Sequence, residues 1–395
     1  CGLALCEDRN PVSGRNRVSQ AIAAYRAARA INRDAGYVAR VLRLFDALQR
    51  KAIPEIEAML DDWQLDPLQH RRLAALAELN GGPEVLELAR ISKPVADANE
   101  ILVRIEAAGV NPLDWHYLRG TPYIMRLMGA GIGTPADMRL GADFAGVVEA
   151  VGEQVETFRV GDRVFGGSSG AFAEYVAVGA DSAVVKVPPG LSFEEAAATP
   201  VAGLTALQAL RKAGELQPGQ KVLVNGASGG VGTFAVQIAK AMGAEVHGVC
   251  STRNVERVYA LGADRVFDYK QENYIDSGER YDLIIDNVGN HSLLANRKVM
   301  QETGTLVIVG GQGGDWLGPL IRPLAAMILS PFVDQDFAAF IARLEQDDLT
   351  TLAELMASGQ VTPAIDRRYS LAETADAIRY SETGRARGKI IITVN

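Results

Sequence analysis

Cysteine is nearly absent from this chain: 395 residues contain three, Cys1, Cys6 and Cys250. Two crowd the start and one stands alone, so no disulfide framework or cysteine-based metal cluster can be assembled. That scarcity suits a reducing compartment, and the expected localisation is cytoplasmic. Histidine is also scarce. His70, His116, His247 and His291 are scattered, with no pair at metal-ligand spacing. Long apolar runs are missing too. Gly, Pro or Arg interrupts each one, which argues against a membrane span. Basic charge does not predominate: 40 Lys and Arg face 48 Asp and Glu, a formal charge of -8. Neither nucleic acid nor an anionic membrane is therefore an expected partner, although a local basic pocket for a phosphate remains compatible. The chain opens on Cys1 rather than Met. That fits a fragment or a processed product better than a lipid-modified terminus.

What is present is a length suited to two or three domains and an ordinary apolar content of 48%. Residues 1–72 read as a helical extension. Ile22, Tyr25, Ala28, Val38, Val41, Leu44 and Leu48 recur at helical spacing, and a second helical stretch follows Pro54. This extension is either an appendage or a docking and oligomerisation element. From Leu73 the texture changes to short strands separated by Gly and Pro: Ile101–Ala107, Gly141–Gly152, Gly161–Phe165, Phe172–Val178 and Ala183–Val187. From Ser192 helices and strands alternate. Strands are expected at Lys221–Asn225, Glu245–Cys250, Arg265–Asp268, Leu283–Asn287 and Thr305–Val309. That rhythm implies an α/β domain with a doubly wound parallel sheet of the Rossmann kind. The tail returns to a helix, a strand, a helix and a last strand, Lys389–Val394. The expected division is 1–72, then a β-rich domain over 73–200 completed by 346–395, with the Rossmann domain over 201–345.

The most informative segment is Lys221-Val-Leu-Val-Asn-Gly-Ala-Ser-Gly-Gly-Val-Gly232. A buried strand enters a glycine-rich turn and a helix begins at once. Ala227, Ser228, Gly229, Gly230, Val231 and Gly232 form the expected phosphate cradle. Gly229 admits a pyrophosphate close to the backbone, and Gly232 lets helix pack on strand. The next strand ends Cys250-Ser251-Thr252-Arg253, without the acidic residue that would hold a ribose 2′-hydroxyl. Small hydroxyls and a guanidinium suit a 2′-phosphate instead, so the expected cofactor is NADPH rather than NADH.

These residues resemble the medium-chain dehydrogenase/reductase superfamily, and within it the zinc-free quinone oxidoreductase, or zeta-crystallin-like, branch. The likeness rests on Gly219-Gln220-x-x-Leu223-x-x-x-Ala227-Ser228-Gly229-Gly230-x-Gly232-x-x-x-x-Gln237-x-x-Lys240 and on Gly141-x-Asp143-x-x-Gly146-x-Val148-x-x-x-Gly152. Asn111-Pro-Leu-Asp114, Gly161-Asp162-x-Val164, Thr205-Ala206-x-x-Ala209-Leu210 and Gly388-Lys389-Ile390 fall in family order, and the likeness runs from about Gly81 to Asn395. It implies a GroES-like catalytic domain beside the Rossmann domain, an active-site cleft between them, and assembly as a homodimer or homotetramer. It also implies an opening strand near Leu73–Leu79, where this chain is rich in helix-prone alanine.

The resemblance assigns further residues. Tyr269 is expected beside the 2′-phosphate, and Thr205, Asn287, Gly310 and Gly311 around the nicotinamide half. Asn111, His116, Tyr117 and Tyr123 are candidate polar groups at the substrate, with Asp114 capping a local helix. The apolar insert Tyr123–Met138 reads either as a lid or as a surface loop. Zinc-dependent cousins carry Cys where this chain has Asn111, and His-Glu where it has Ala142-Asp143, so no metal is expected. Without a Lewis acid an alcohol is hard to deprotonate, whereas an activated C=C is easier to reduce. The implied substrate is a small apolar quinone or α,β-unsaturated carbonyl. The alternatives are an NADP-linked alcohol dehydrogenase and a non-catalytic, cofactor-binding structural or regulatory protein.

Overall fold

The computed structural model describes residues 71–77, 81–121, 139–311 and 318–394. The helical stretches expected within 1–70, Tyr123 and the insert that it begins lie outside these residues. Arg71–Asn395 forms one compact unit.

The opening strand is present. β1 (Arg71–Ala77) pairs antiparallel with β2 (Leu86–Ser92), from Arg71 opposite Ser92 to Ala77 opposite Leu86. It begins two residues inside the expected extension. Alanine favours helix only weakly, and cross-strand pairing overrides that preference. β3 (Glu100–Val110) follows, then helix α1 (Pro112–Arg119). Next come β4 (Asp143–Val151), β5 (Arg163–Gly167), β6 (Tyr175–Gly179) and β7 (Val184–Lys186). Their buried positions Ile101, Val103, Ile105, Phe144, Val148, Val164 and Val176 pack into one core. β3 and β4 approach so closely that a side chain at Gly146 would sit 2.0 Å from the Arg104 carbonyl oxygen. Only glycine fits there.

Helices α2 (Phe193–Ala197) and α3 (Pro200–Gln208) lead into the second half. Ser192 starts α2 with a reciprocal cap: its hydroxyl accepts the Glu195 amide, and the Glu195 carboxylate accepts the Ser192 amide. Then β8 (Lys221–Asn225), α4 (Gly230–Ala241), β9 (Glu245–Cys250), α5 (Val255–Ala260), β10 (Arg265–Asp268) and β11 (Tyr281–Asp286) alternate. α6 (Leu293–Arg297), β12 (Met300–Ile308), α7 (Gly318–Leu329) and β13 (Asp336–Ala339) complete this half. The sheet is parallel, in the order β10-β9-β8-β11-β12-β13. The chain reverses its direction of growth between β8 and β11. A crevice therefore opens beyond their carboxyl ends.

The tail is α8 (Gln346–Ala357), β14 (Ile365–Ser370), α9 (Thr374–Glu382) and β15 (Lys389–Thr393). β15 pairs antiparallel with β3, Ile390 opposite Val110, so the tail joins the first large sheet. A single apolar cluster links the two sheets. It includes Ala107, Ala145 and Phe165 from the first, Val222 and Val224 from the second, and Leu204, Leu207 and Leu352 from α3 and α8.

Candidate active site

The site grows from the end of β8. Gly226 takes φ +81, a left-handed conformation that turns the chain back. The amides of Gly226 and Ala227 both donate to the Val249 carbonyl, tying the turn to β9. α4 then begins. A side chain at Gly232 would meet the Gly226 carbonyl oxygen at 2.1 Å, so helix and turn pack backbone to backbone. At Gly229 and Gly230 the opposite holds. The nearest atoms to an added Cβ are 3.5 and 3.4 Å away, ordinary van der Waals distances, and both residues line a cleft. The Gly229 amide donates to the Gly226 carbonyl at 3.1 Å, while the first amides of α4 have no acceptor within the helix and lie at the positive end of its dipole.

This cradle forms one wall of a cleft of about 610 Å³ between the two sheets. Of the expected residues, Asn111, Ser228, Gly229, Gly230, Val231, Gly232, Ser251, Arg253, Tyr269 and Asn287 line it together. Ala227 is fully buried beneath them. Thr252 lies off the lining, hydrogen-bonded to Asp268. Thr205 is turned along its own helix, donating to the Val201 carbonyl at 2.7 Å. Gly310 packs on the Asn287 backbone, where an added Cβ would come within 2.2 Å of its oxygen. Gly311 lies against the stem of Arg322. His116 and Tyr117 are off the lining as well. The His116 ring stacks on Trp115, and its Nδ1 pairs with the Thr121 carbonyl at 2.7 Å. Burial holds its pKa below the ordinary imidazole value. Tyr117 is exposed on α1.

Several residues at the cleft went unassigned in the sequence reading. Asn254 donates to Ser228 Oγ at 3.0 Å and to Ser251 Oγ at 3.1 Å, joining the cradle to the end of β9. Its own Oδ1 is buried without a partner, as is Oδ1 of Asn287. Asp286, wholly buried, accepts from Asn225 Nδ2 at 2.8 Å, from the Gly289 amide at 2.9 Å and from Arg322 Nη2 at 2.6 Å. It thereby fixes the turn that carries Asn287. Arg385 also lines the cleft, and its carbonyl accepts from Arg253 Nη2 at 3.2 Å. Lys389, 2% exposed, donates to Asn111 Oδ1 at 2.5 Å and to Asp143 Oδ2 at 3.0 Å. In the sequence it stood only within Gly388-Lys389-Ile390, with no role assigned to it.

Among the described residues the cleft wall carries three cations, Arg253, Arg385 and Lys389, and no carboxylate. In a chain of charge -8 this is a local inversion, and it suits an anionic ligand. The open cradle, the unpaired helix amides and the two orphaned carboxamide oxygens together fit a dinucleotide. Its phosphates would take the amides, and its hydroxyl or amide donors would satisfy acceptors that otherwise cost roughly 1–3 kcal/mol each.

Comparison with known proteins agrees. Two family models match, the alcohol dehydrogenase GroES-like domain over residues 97–189 and the zinc-binding dehydrogenase over residues 261–392. A third, histidyl-tRNA synthetase, matches residues 11–110, mostly outside the described ones. The human quinone oxidoreductase is 34% identical over 328 residues, covering 79% of this chain and 94% of that protein. The chain belongs to the medium-chain dehydrogenase/reductase superfamily, in its zeta-crystallin-like quinone oxidoreductase branch. The 2-methylene-furan-3-one reductase of Solanum lycopersicum is 33% identical, covering 79% of this chain and 76% of that one. The solved quinone oxidoreductase of Coxiella burnetii superposes with a TM-score of 0.73 at 29% identity, over 82% of this chain and all of that one. The protein is thus an oxidoreductase of the medium-chain family, with a GroES-like domain, a Rossmann domain and a nicotinamide cofactor.

One matching family model is named for zinc, and the residues here do not fit that ion. At the positions that the resemblance compares with zinc ligands, Asn111 and Ala142 bring neither thiolate nor imidazole, and the remaining carboxylate, Asp143, is already engaged. It accepts from the Val201 amide at 2.9 Å, from Asn111 Nδ2 at 2.9 Å and from the Lys389 ammonium. Among the described residues no group of three His, Cys, Asp or Glu is placed to hold a metal, and no helix is long and apolar enough to cross a membrane.

Proposed function

We propose that this oxidoreductase uses NADPH, without zinc, to reduce a quinone or the activated C=C of a small α,β-unsaturated carbonyl. The observation that carries the cofactor choice is Arg253 on the cleft wall at the end of β9, beside Ser251 and Tyr269, with no acidic residue among the described lining. A guanidinium with neighbouring hydroxyls accepts a 2′-phosphate, whereas a carboxylate there would repel it. The two relatives named as a quinone oxidoreductase and as a 2-methylene-furan-3-one reductase support the acceptor class. When bound, the reduced nicotinamide supplies the hydride.

The chain's own residues do the rest. The amides of Gly230 and Val231 hold the diphosphate. Arg253 neutralises the 2′-phosphate. Asn287 and Asn254 offer acceptors to donors on the ligand, and Asn111 forms the catalytic-domain wall opposite. Strand β13, unpaired on its outer edge among the described residues, and exposed Ile328 and Phe332 beside it form the surface for pairing with a second copy.

An acceptor panel tests the reading. NADPH oxidation by the full chain is followed with 1,4-naphthoquinone, an alkenal, an alkenone and a simple ketone, and then with NADH. Quinone or enone turnover should be strong with NADPH, at least tenfold weaker with NADH, and insensitive to a chelator. Exclusive oxidation of simple alcohols, lost on chelation, would replace this reading with an alcohol dehydrogenase.

A further inference from the structure

Helix α7, Gly-Pro-Leu-Ile-Arg-Pro-Leu-Ala-Ala-Met-Ile-Leu, carries a single charge, and Arg322 turns it inward. Its Nη2 donates to the wholly buried Asp286 carboxylate at 2.6 Å, and its Nη1 donates to the Gly310 carbonyl at 3.2 Å. The stem lies against two glycines. Cδ is 3.3 Å from where a Cβ would stand at Gly289, and 3.6 Å from the same point at Gly311. One guanidinium thus ties the turn after β11 to the turn after β12. Asp286 carries the tie further, accepting Asn225 Nδ2 at the end of β8 and the amides of Val288 and Gly289. Asn287 stands inside this tie. Its Nδ2 donates to the Asn225 carbonyl at 2.9 Å, which leaves Oδ1 as a buried acceptor without a partner. Such an ion pair is a poor stabiliser. Desolvating both ions offsets most of their attraction, and Arg322 Nε is buried with no partner besides. What the pair supplies is geometry.

The sheet order decides which part of the ligand this geometry serves. Arg253 follows β9 on one side of the cradle, and β11 and β12 lie on the other. Neighbouring strands are about 4.8 Å apart. A dinucleotide held at the cradle by its diphosphate and at Arg253 by its 2′-phosphate therefore lays its other half, the nicotinamide, over the ends of β11 and β12. We infer that Arg322 is a positioning residue for that half: it locks the two turns on which the nicotinamide rests. The inference rests on the NADPH reading above. Arg322 itself is off the cleft lining, so it acts through those turns and not by touching the ligand. Turns already locked need no ordering when the cofactor binds. An error of about 1 Å in the place of the hydride donor can lower the rate roughly 100-fold.

The test compares half of the ligand with the whole, on the full chain. Adenosine 2′,5′-bisphosphate, which has the adenosine half alone, and NADPH are each titrated by calorimetry into wild type, Arg322→Met and Arg322→Lys. Arg322→Met should bind the bisphosphate within threefold of wild type. It should bind NADPH at least tenfold more weakly, and lower kcat with 1,4-naphthoquinone at least tenfold. Arg322→Lys keeps the charge but loses the two-pronged grip, and should fall between. The double variant Arg322→Met with Asp286→Asn leaves no buried charge unpaired, and should show the same split if the single variant folds poorly. A general loss of structure weakens both ligands alike, so equal falls in the two affinities overturn the inference. So do unchanged NADPH affinity and turnover in Arg322→Met. A wild type that binds neither ligand sinks the functional reading and this inference together. One that shows the split in affinity but reduces no quinone or enone sinks the acceptor class alone.

Discussion

Asp114 shows how one buried residue couples the site to pH. It sits in the first turn of α1, 4% exposed, and accepts the Asn111 amide at 2.7 Å. Burial, above all, raises its carboxyl from 3.8 to about 7, with nearby Asp143 adding to the rise and Lys389 opposing it. The folded protein therefore holds this proton more tightly than the unfolded chain. The stability it contributes is full below the ordinary carboxyl value and is lost as pH climbs through about 7. Each tenfold change in proton affinity is worth about 1.4 kcal/mol, so the loss amounts to a few kcal/mol. Asp114→Asn keeps an acceptor for the Asn111 amide and removes the titration. It should raise Tm relative to wild type at pH 8 and do so by only about a third as much at pH 5. A Tm difference that does not vary with pH would refute the assignment. The neighbouring pair Lys389–Asp143 predicts the opposite kind of change. Removing one partner leaves a buried charge uncompensated, and Asp143→Leu alone should cost about 3–5 kcal/mol in denaturant unfolding.

At the scale of elements, the cradle depends on backbone approach. Gly232→Val would press a branched side chain into the Gly226 carbonyl, which stands 2.1 Å from even a Cβ. Overpacking of this kind costs about 1–3 kcal/mol, so Tm should fall and nucleotide affinity with it. An unchanged affinity would mean that the turn can shift without consequence. Most elements here were legible in the sequence. β8, β9 and β10 fall on the expected residues, because short apolar runs alternating with helical segments have few other readings. β1 was not legible. Alanine carries no period of its own, and the strand is set by its pairing with β2. The Lys389 cluster was hidden for another reason. Its partners lie 278 and 246 residues away in the chain, and only the antiparallel pairing of β15 with β3 brings them together. His116 and Tyr117 stood in the right segment, yet α1 turns His116 onto Trp115 and Tyr117 outward.

For the whole molecule, the two sheets share one apolar cluster through α3 and α8, so the cleft walls belong to a continuous core. Among the described residues the outer edge of β13 is unpaired, and beside it Ile328 is 71% and Phe332 80% exposed. Light scattering should find a dimer or tetramer, and Ile328→Asp with Phe332→Asp should shift it toward monomer. A monomeric wild type would contradict this assembly. The central claim is that the cleft holds a dinucleotide whose extra phosphate meets Arg253, and calorimetry on the full chain tests it most directly. The account predicts one NADPH site per chain, at least tenfold tighter than NADH, with Arg253→Ala abolishing most of that preference and leaving NADH affinity nearly unchanged. Equal affinity for the two cofactors in wild type, or no binding of either, would contradict it.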